Sequence, residues 1–159
     1  MQENHIKYIG IDPGKSGGIA VIYQNDIKAL KCPDTVEEMA ILFSLILEDT
    51  PAENVKVLIE KVWSRPTDGR ASVFTFGTNY GQWQGIIATH EITPDYVTPS
   101  KWMKYFECPP KLKKKDRKHW LRDLARVLYV DLPKVTLSTA DAILIATYLQ
   151  QLFSSSEEQ

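Results

Sequence analysis

The stretch from Ile9 to Ala20 constrains the fold of this chain more than any other. An apolar run ends in Asp12, and the next six residues are one proline, three glycines, one lysine and one serine before apolar residues resume at Ile19. This pattern predicts two strands joined by a tight turn, with Asp12 at the turn. Because aspartate favours turns by bonding nearby backbone groups, this residue alone allows both a structural and a functional interpretation.

Apolar periodicity and turn residues divide the rest of the chain into further elements. The first three strands form an antiparallel meander, and the helices and strands that follow predict an α/β fold with a mixed sheet. The 159 residues indicate one domain over 1–152, followed by a disordered tail over 153–159. We predict strands over 8–12, 19–23, 27–30, 54–60 and 92–97, and helices over 36–48, 71–90 and 138–152, with a brief helix from Thr98 and another from about Asp116.

The composition excludes several classes of protein. No run approaches the ~20 apolar residues of a membrane span, and the N-terminus lacks the basic and apolar regions of a signal peptide. We therefore expect a soluble cytoplasmic protein with no membrane partner. Cys32 and Cys108 lie far apart without a Cys or His at ligand spacing, which argues against a disulfide framework or a zinc site.

Two further carboxylates occupy positions that resemble that of Asp12. Glu60 ends a β-branched apolar strand, and Asp141 shares one helical face with Leu144 and other apolar residues. An unpaired charge on such a face costs several kcal/mol. Two interpretations of Asp141 stay open: it caps the helix together with Ser138, or it shares a divalent cation with Asp12 and Glu60.

Three carboxylates that converge at one sheet edge have a defined chemical use. Two metal ions held about 3.5 to 4 Å apart activate water and stabilise the leaving oxygen in phosphodiester hydrolysis. The segment from Lys111 to Arg126 holds eight Lys and Arg residues but only two Asp, although the whole chain has a net charge of −1. This run is either a solvated helix face or a surface that binds nucleic-acid phosphates.

The long helix over 71–90 carries glycine at every fourth position, at Gly77, Gly81 and Gly85. Each glycine costs up to ~1 kcal/mol of helix propensity relative to alanine. The flat stripe that they form permits close approach of another backbone. We expect a neighbouring helix, strand or second subunit to pack there.

Several segments, in order, resemble motifs of the RuvC family of Holliday-junction resolvases, in the RNase H-like superfamily. Gly10–Gly14 is similar to its first-strand motif, Ile59–Trp63 to its second acidic motif and Ala140–Ala146 to its last-helix motif. Residues 77–87 resemble its long glycine-containing helix, and residues 97–104 its following strand and lysine-bearing helix. The resemblance implies an RNase H-like fold: a mixed central sheet with an N-terminal antiparallel meander, flanked by helices.

The resemblance also implies site residues. Asp12, Glu60 and Asp141 would be catalytic and would bind Mg²⁺, for which Mn²⁺ could substitute, without a small-molecule cofactor; Lys118 would support catalysis. The family commonly has a fourth acidic residue where this chain has Ser138, which brings no charge. The residues expected to contact DNA are Trp63, Arg65, Lys101, Lys104, Lys113, Lys114, Lys115 and Lys118.

We therefore expect a metal-dependent, structure-selective endodeoxyribonuclease that resolves Holliday junctions or other branched DNA by paired nicks. Paired nicks imply two active sites in a homodimer, with the glycine face of the long helix as part of the interface. Two alternatives stay open. One is a non-catalytic protein that binds branched DNA with the same fold, and the other is a fragment of an actin-like or sugar-kinase-like ATPase, whose first hairpin is also Asp-x-Gly.

Overall fold

The computed structural model describes residues 5–157, in which one five-stranded mixed sheet is flanked by helices on both faces. The sheet order is β3-β2-β1-β4-β5. The antiparallel meander β1–β3 is continued by β4 and β5, which run parallel to β1. The strands are β1 (Lys7–Asp12), β2 (Gly18–Tyr23), β3 (Asp26–Lys31), β4 (Val55–Glu60) and β5 (Asp95–Val97).

Within the described range of 5–157, five α-helices connect and follow the strands. The first is fixed by a capping box, in which Glu38 N donates to Thr35 Oγ1 at 3.2 Å and Thr35 N donates to Glu38 Oε2 at 3.3 Å. Within residues 5–157, no helix is both long and apolar enough to cross a membrane. The helices are α1 (Val36–Leu47), α2 (Arg70–Thr89), α3 (Pro99–Tyr105), α4 (Lys114–Leu128) and α5 (Ala140–Glu157), with a 3-10 turn at Ala52–Asn54 before β4.

The sheet separates two apolar layers. Ile9 and Ile11 of β1 belong to the layer that contains residues of α1 and α2, whereas Gly10 faces α5. Because successive residues of a strand point to opposite faces, Asp12 lies on the same face of the sheet as Gly10. The alternation of β1 therefore directs its terminal carboxylate towards α5.

Helix α5 crosses the sheet in direct contact with main-chain atoms of β1 and β2. A Cβ added to Gly10 would lie 2.4 Å from Ala146 N and 2.5 Å from Ala142 O, and one added to Gly18 would lie 2.6 Å from Ser138 O. Real side chains essentially never approach so closely. Glycine at these positions is what permits α5, and with it Asp141, to lie against the first hairpin.

Two boundaries differ from the sequence prediction by more than two residues. Strand β5 begins at Asp95 rather than at residue 92, since the preceding Pro94 has no N–H to donate to the ladder. Helix α5 continues to Glu157 through most of the segment predicted as a disordered tail, and residues 158–159 lie outside the described residues. This extension is stabilised where Phe153 packs against the Tyr8 ring.

Candidate active site

Strand pairing brings Asp12 and Glu60 together. They end the adjacent parallel strands β1 and β4, and the register pairs Ile11 with Ile59, the residues immediately before them. Because these residues are equivalent in the register, both carboxylates are on the face that α5 covers. Asp141, in the first turn of α5, completes the group.

The turn after Asp12 is fastened to helix α2. Gly14 adopts a positive φ of 112°, and its N–H donates to Asn79 Oδ1 at 2.7 Å. Asn79 is buried and donates through Nδ2 to Cys32 Sγ at 3.3 Å. The hairpin that carries Asp12 is thus held by a buried amide that also contacts the end of the meander.

Glu60 is held by an indole from helix α3. Trp102 is fully buried, and its Nε1 donates to Glu60 Oε2 at 2.7 Å. This contact follows from β5, whose Val97 pairs with Glu60 and leads through Thr98 into α3. The hydrogen bond fixes one of the two oxygens of the carboxylate.

Burial raises the pKa values of all three carboxyl groups, and repulsion adds to the rise for Asp12 and Glu60. Burial raises the pKa of Asp12 well above its usual range, and the charges of Asp141 and Glu60 raise it further. For Glu60, burial outweighs the hydrogen bond from Trp102 and, with the charge of Asp141, raises the pKa to about 7. Burial also raises the pKa of Asp141, against the opposing charges of Lys118 and Arg117. The nearby basic side chains therefore do not offset the cost of burying these carboxylates.

The three carboxylates line a cleft of about 850 Å³. Five basic side chains from three parts of the chain also line it: Lys15 of the hairpin, Arg65 of the loop after β4, and Lys114, Arg117 and Lys118 of α4. Of the predicted site residues, the structure therefore brings together Asp12, Glu60, Asp141, Arg65, Lys114 and Lys118.

The other predicted residues lie outside this cleft. Trp63 is 53% exposed and lines an adjacent groove of about 450 Å³, which shares Asp68, Ser72 and Phe76 with the cleft. Ser138 lies in the turn before α5, with its carbonyl against Gly18. Four of the predicted DNA contacts are exposed but do not line the cleft, namely Lys101, Lys104, Lys113 and Lys115.

Besides Lys15 of the first hairpin, three contributors were not among the predicted site residues. Arg117 precedes Lys118 in the basic run, so the charge pattern carried a signal for it. Trp102 contacts Glu60, which is 42 positions away in the sequence, and Asn79 contacts Gly14, which is 65 positions away. Such contacts depend on strand order and helix packing, which spacing in the sequence does not reveal.

The donor set suits a hard divalent cation, since carboxylate oxygens are its preferred ligands and the buried carboxylates repel one another. As the side chains stand, however, no three His, Cys, Asp or Glu residues within 5–157 are grouped closely enough to hold an ion. The hydrogen bond to Trp102 engages one oxygen of Glu60. A cation shared by Asp12, Glu60 and Asp141 would therefore draw these side chains together.

The fold is similar to that of RuvC from Thermus thermophilus. A structure of that RuvC in complex with a Holliday junction substrate is 13% identical with a TM-score of 0.63, and the match covers 95% of this chain and 96% of that chain. A second structure of the RuvC is 13% identical with a TM-score of 0.56, covering 96% and 97%. No protein-family profile and no curated protein sequence matches the chain. The chain thus has a RuvC-type fold, which confirms the predicted RNase H-like α/β class.

Proposed function

We propose that this protein is a metal-dependent, structure-selective endodeoxyribonuclease that resolves four-way or other branched DNA by paired nicks. One observation carries the proposal: Asp12, Glu60 and Asp141, which are far apart in the sequence, line one basic-rimmed cleft. The similarity of the fold to a RuvC structure that contains a Holliday junction substrate supports the choice of DNA substrate.

The charges of the cleft suit a phosphodiester substrate. Lys15, Arg65 and Lys114 lie around the carboxylates, where they would bind phosphates of the DNA backbone and release counterions. The charge of Lys118 opposes the rise in the pKa values of Asp12, Glu60 and Asp141. It would favour the ionised form of these carboxylates and also contact the phosphate that is cleaved.

Asp12, Glu60 and Asp141 would hold Mg²⁺ or Mn²⁺. When bound, such a cation activates water and stabilises the leaving oxygen of phosphodiester hydrolysis. The chain's own contribution is to keep the three carboxylates on one face of the sheet and to shield them by burial from bulk solvent. Since ligands must be deprotonated, their raised pKa values make cation binding dependent on pH.

Two surface features support junction binding by a homodimer. Trp63 is exposed beside the cleft, where an aromatic face can stack on a base. On α2, a Cβ added at Gly77, Gly81 or Gly85 meets nothing within 4 Å among residues 5–157. The glycine face is therefore open to a second subunit, which would supply the second active site.

The test is a junction-cleavage assay on the Asp12→Asn variant. The amide keeps the shape of the side chain but removes its charge, so the variant should still shift a labelled four-way junction on a gel and should not nick it in Mg²⁺. Asp26→Asn is the matched control, because Asp26 is exposed on β3 and does not line the cleft. It should nick at the wild-type rate. Cleavage retained by Asp12→Asn, or ATP turnover by the wild-type chain, would contradict the proposal.

The second candidate function is non-catalytic binding of branched DNA. It is favoured by the absence, within residues 5–157, of three grouped metal-binding side chains and by Ser138, which brings no fourth carboxylate. A protein of this kind would shift the junction without nicking it in either Mg²⁺ or Mn²⁺. The wild-type protein in the assay above therefore separates the two functions.

A further inference from the structure

Trp102 stands out among the buried residues because it is the hydrogen-bond donor to a cleft carboxylate. Its side chain is fully buried, and its Nε1 lies 2.7 Å from Glu60 Oε2, a length typical of a strong bond to an ionised acceptor. The indole packs in the apolar layer on the α5 side of the sheet and meets Phe106 edge to face. Such packing leaves the indole little freedom to turn away from Glu60.

We propose that Trp102 is a positioning residue for Glu60: by holding Oε2, it leaves Oε1 as the oxygen with which Glu60 binds the cation. This inference rests on the proposed function. It also assigns a role to α3, which is otherwise a short connection between β5 and the basic segment.

The chemistry of the donor supports positioning rather than neutralisation. Lysine or arginine at this place would orient the carboxylate but would also cancel the charge that attracts a cation. The indole N–H is neutral, so it fixes the carboxylate and leaves its negative charge in place. Groups that orient metal ligands in this way typically contribute 10- to 100-fold to metal affinity.

The chain contains a matched control for Trp102. Trp83 of α2 is also fully buried, but it packs in the apolar layer on the opposite face of the sheet. Within the described residues its Nε1 makes no hydrogen bond that meets geometric criteria, although the indole is close enough to the Cys32 thiol to lower the pKa of that thiol. Trp102→Phe and Trp83→Phe therefore remove the same atoms from two equally buried sites, and only the first removes a bond to Glu60.

The first experiment measures Mn²⁺ binding to the DNA-free protein by isothermal titration calorimetry. We expect Trp102→Phe to bind Mn²⁺ about 10-fold more weakly. Trp83→Phe should bind within about twofold of wild type, because it loses no hydrogen bond to a cleft carboxylate. In a Glu60→Ala background, Trp102→Phe should have no further effect, because the residue acts through Glu60. Equal losses in the two tryptophan variants, or a full loss in the Glu60→Ala background, would overturn the inference.

The second measurement uses wild-type protein and so does not depend on the folding of Trp102→Phe. The indole N–H resonances of the four tryptophans are recorded by ¹⁵N NMR during titration with Mg²⁺. Variants of the other three tryptophans assign the Trp102 signal by elimination. That signal should shift on Mg²⁺ binding while the Trp83 signal does not, and a stationary Trp102 signal at saturating Mg²⁺ would overturn the inference.

These results also separate the inference from the function on which it rests. If wild-type protein binds Mn²⁺ and nicks junctions but Trp102→Phe does both equally well, the positioning role is wrong and the nuclease stands. If wild-type protein binds no Mn²⁺ and does not nick, both are wrong.

Discussion

The contact between Gly10 and helix α5 gives the most direct test of how the site is built. Replacing Gly10 with alanine adds one methyl group, which would lie 2.4 Å from Ala146 N and 2.5 Å from Ala142 O. Both neighbours are main-chain atoms, so no side chain can rotate to make room. Ordinary contacts begin at about 3.4 Å, and α5 must therefore move away from β1 by about 1 Å.

Overpacking of this kind typically costs about 1–3 kcal/mol, and a rigid helix backbone places Gly10→Ala at the upper end. For a domain of this length, each kcal/mol lowers Tm by about 2–4 °C. We therefore expect Tm to fall by roughly 6–12 °C in thermal unfolding without divalent metal. Since α5 carries Asp141, its displacement should also reduce nicking about 100-fold at temperatures where the variant is folded.

Gly85→Ala is the matched control, because the same methyl group at Gly85 meets nothing within 4 Å among residues 5–157. Alanine is the better helix former there by up to ~1 kcal/mol, so Tm measured at a protein concentration at which the chain is monomeric should rise slightly. A Gly10→Ala protein whose Tm is within 2 °C of wild type would refute the reasoning.

Three other predictions follow from the same structure. Burial raises the pKa of Glu60 from 4.5 to about 7, so in the absence of metal the folded state keeps a proton that the unfolded chain releases. Tm should therefore fall as pH rises from 4.5 to about 7, and the Glu60→Gln variant should show a smaller fall. Asn79→Ala leaves the Gly14 N–H without its acceptor, which should cost about 1–3 kcal/mol and speed hydrogen exchange of that amide. Gly81→Arg blocks the open face of α2, so sedimentation should report a monomer if the dimer uses that face.

Much of the fold was predictable because its local signals agree with its long-range packing. Short sequence patterns predict the first hairpin, its glycine turn and the strand that ends in Glu60. Once β1 and β4 are parallel neighbours, Asp12 and Glu60 must meet at their carboxyl ends. The meeting of Asp12 and Glu60 at one sheet edge thus follows from strand pairing, while the roles of all three carboxylates remain predictions.

The remaining features depend on the tertiary arrangement. The sequence around Trp102 does not indicate which group its indole N–H contacts. The hydrogen bond to Glu60 exists because β5, which leads into α3, is the neighbour of β4 in the sheet. The resemblance to the RuvC family implied DNA contact for Trp63, and the loop after Glu60 directs its side chain into the groove beside the cleft. The spacing from Glu60 in the sequence does not show in which of the two grooves the side chain lies.

The main-chain contact at Gly10 has a further consequence for how this fold is recognised. The atoms that set the distance between β1 and α5 are main-chain atoms, which every residue type has. In the sequence, the only sign of this contact is a glycine at position 10. A contact of this kind depends on the absence of a Cβ at one position and on no particular side chain of the neighbouring helix. The match in fold covers 95% of this chain and a RuvC structure at 13% identity. In this chain, the glycine at position 10 therefore constrains the distance between strand and helix more than the identity of the residues around it.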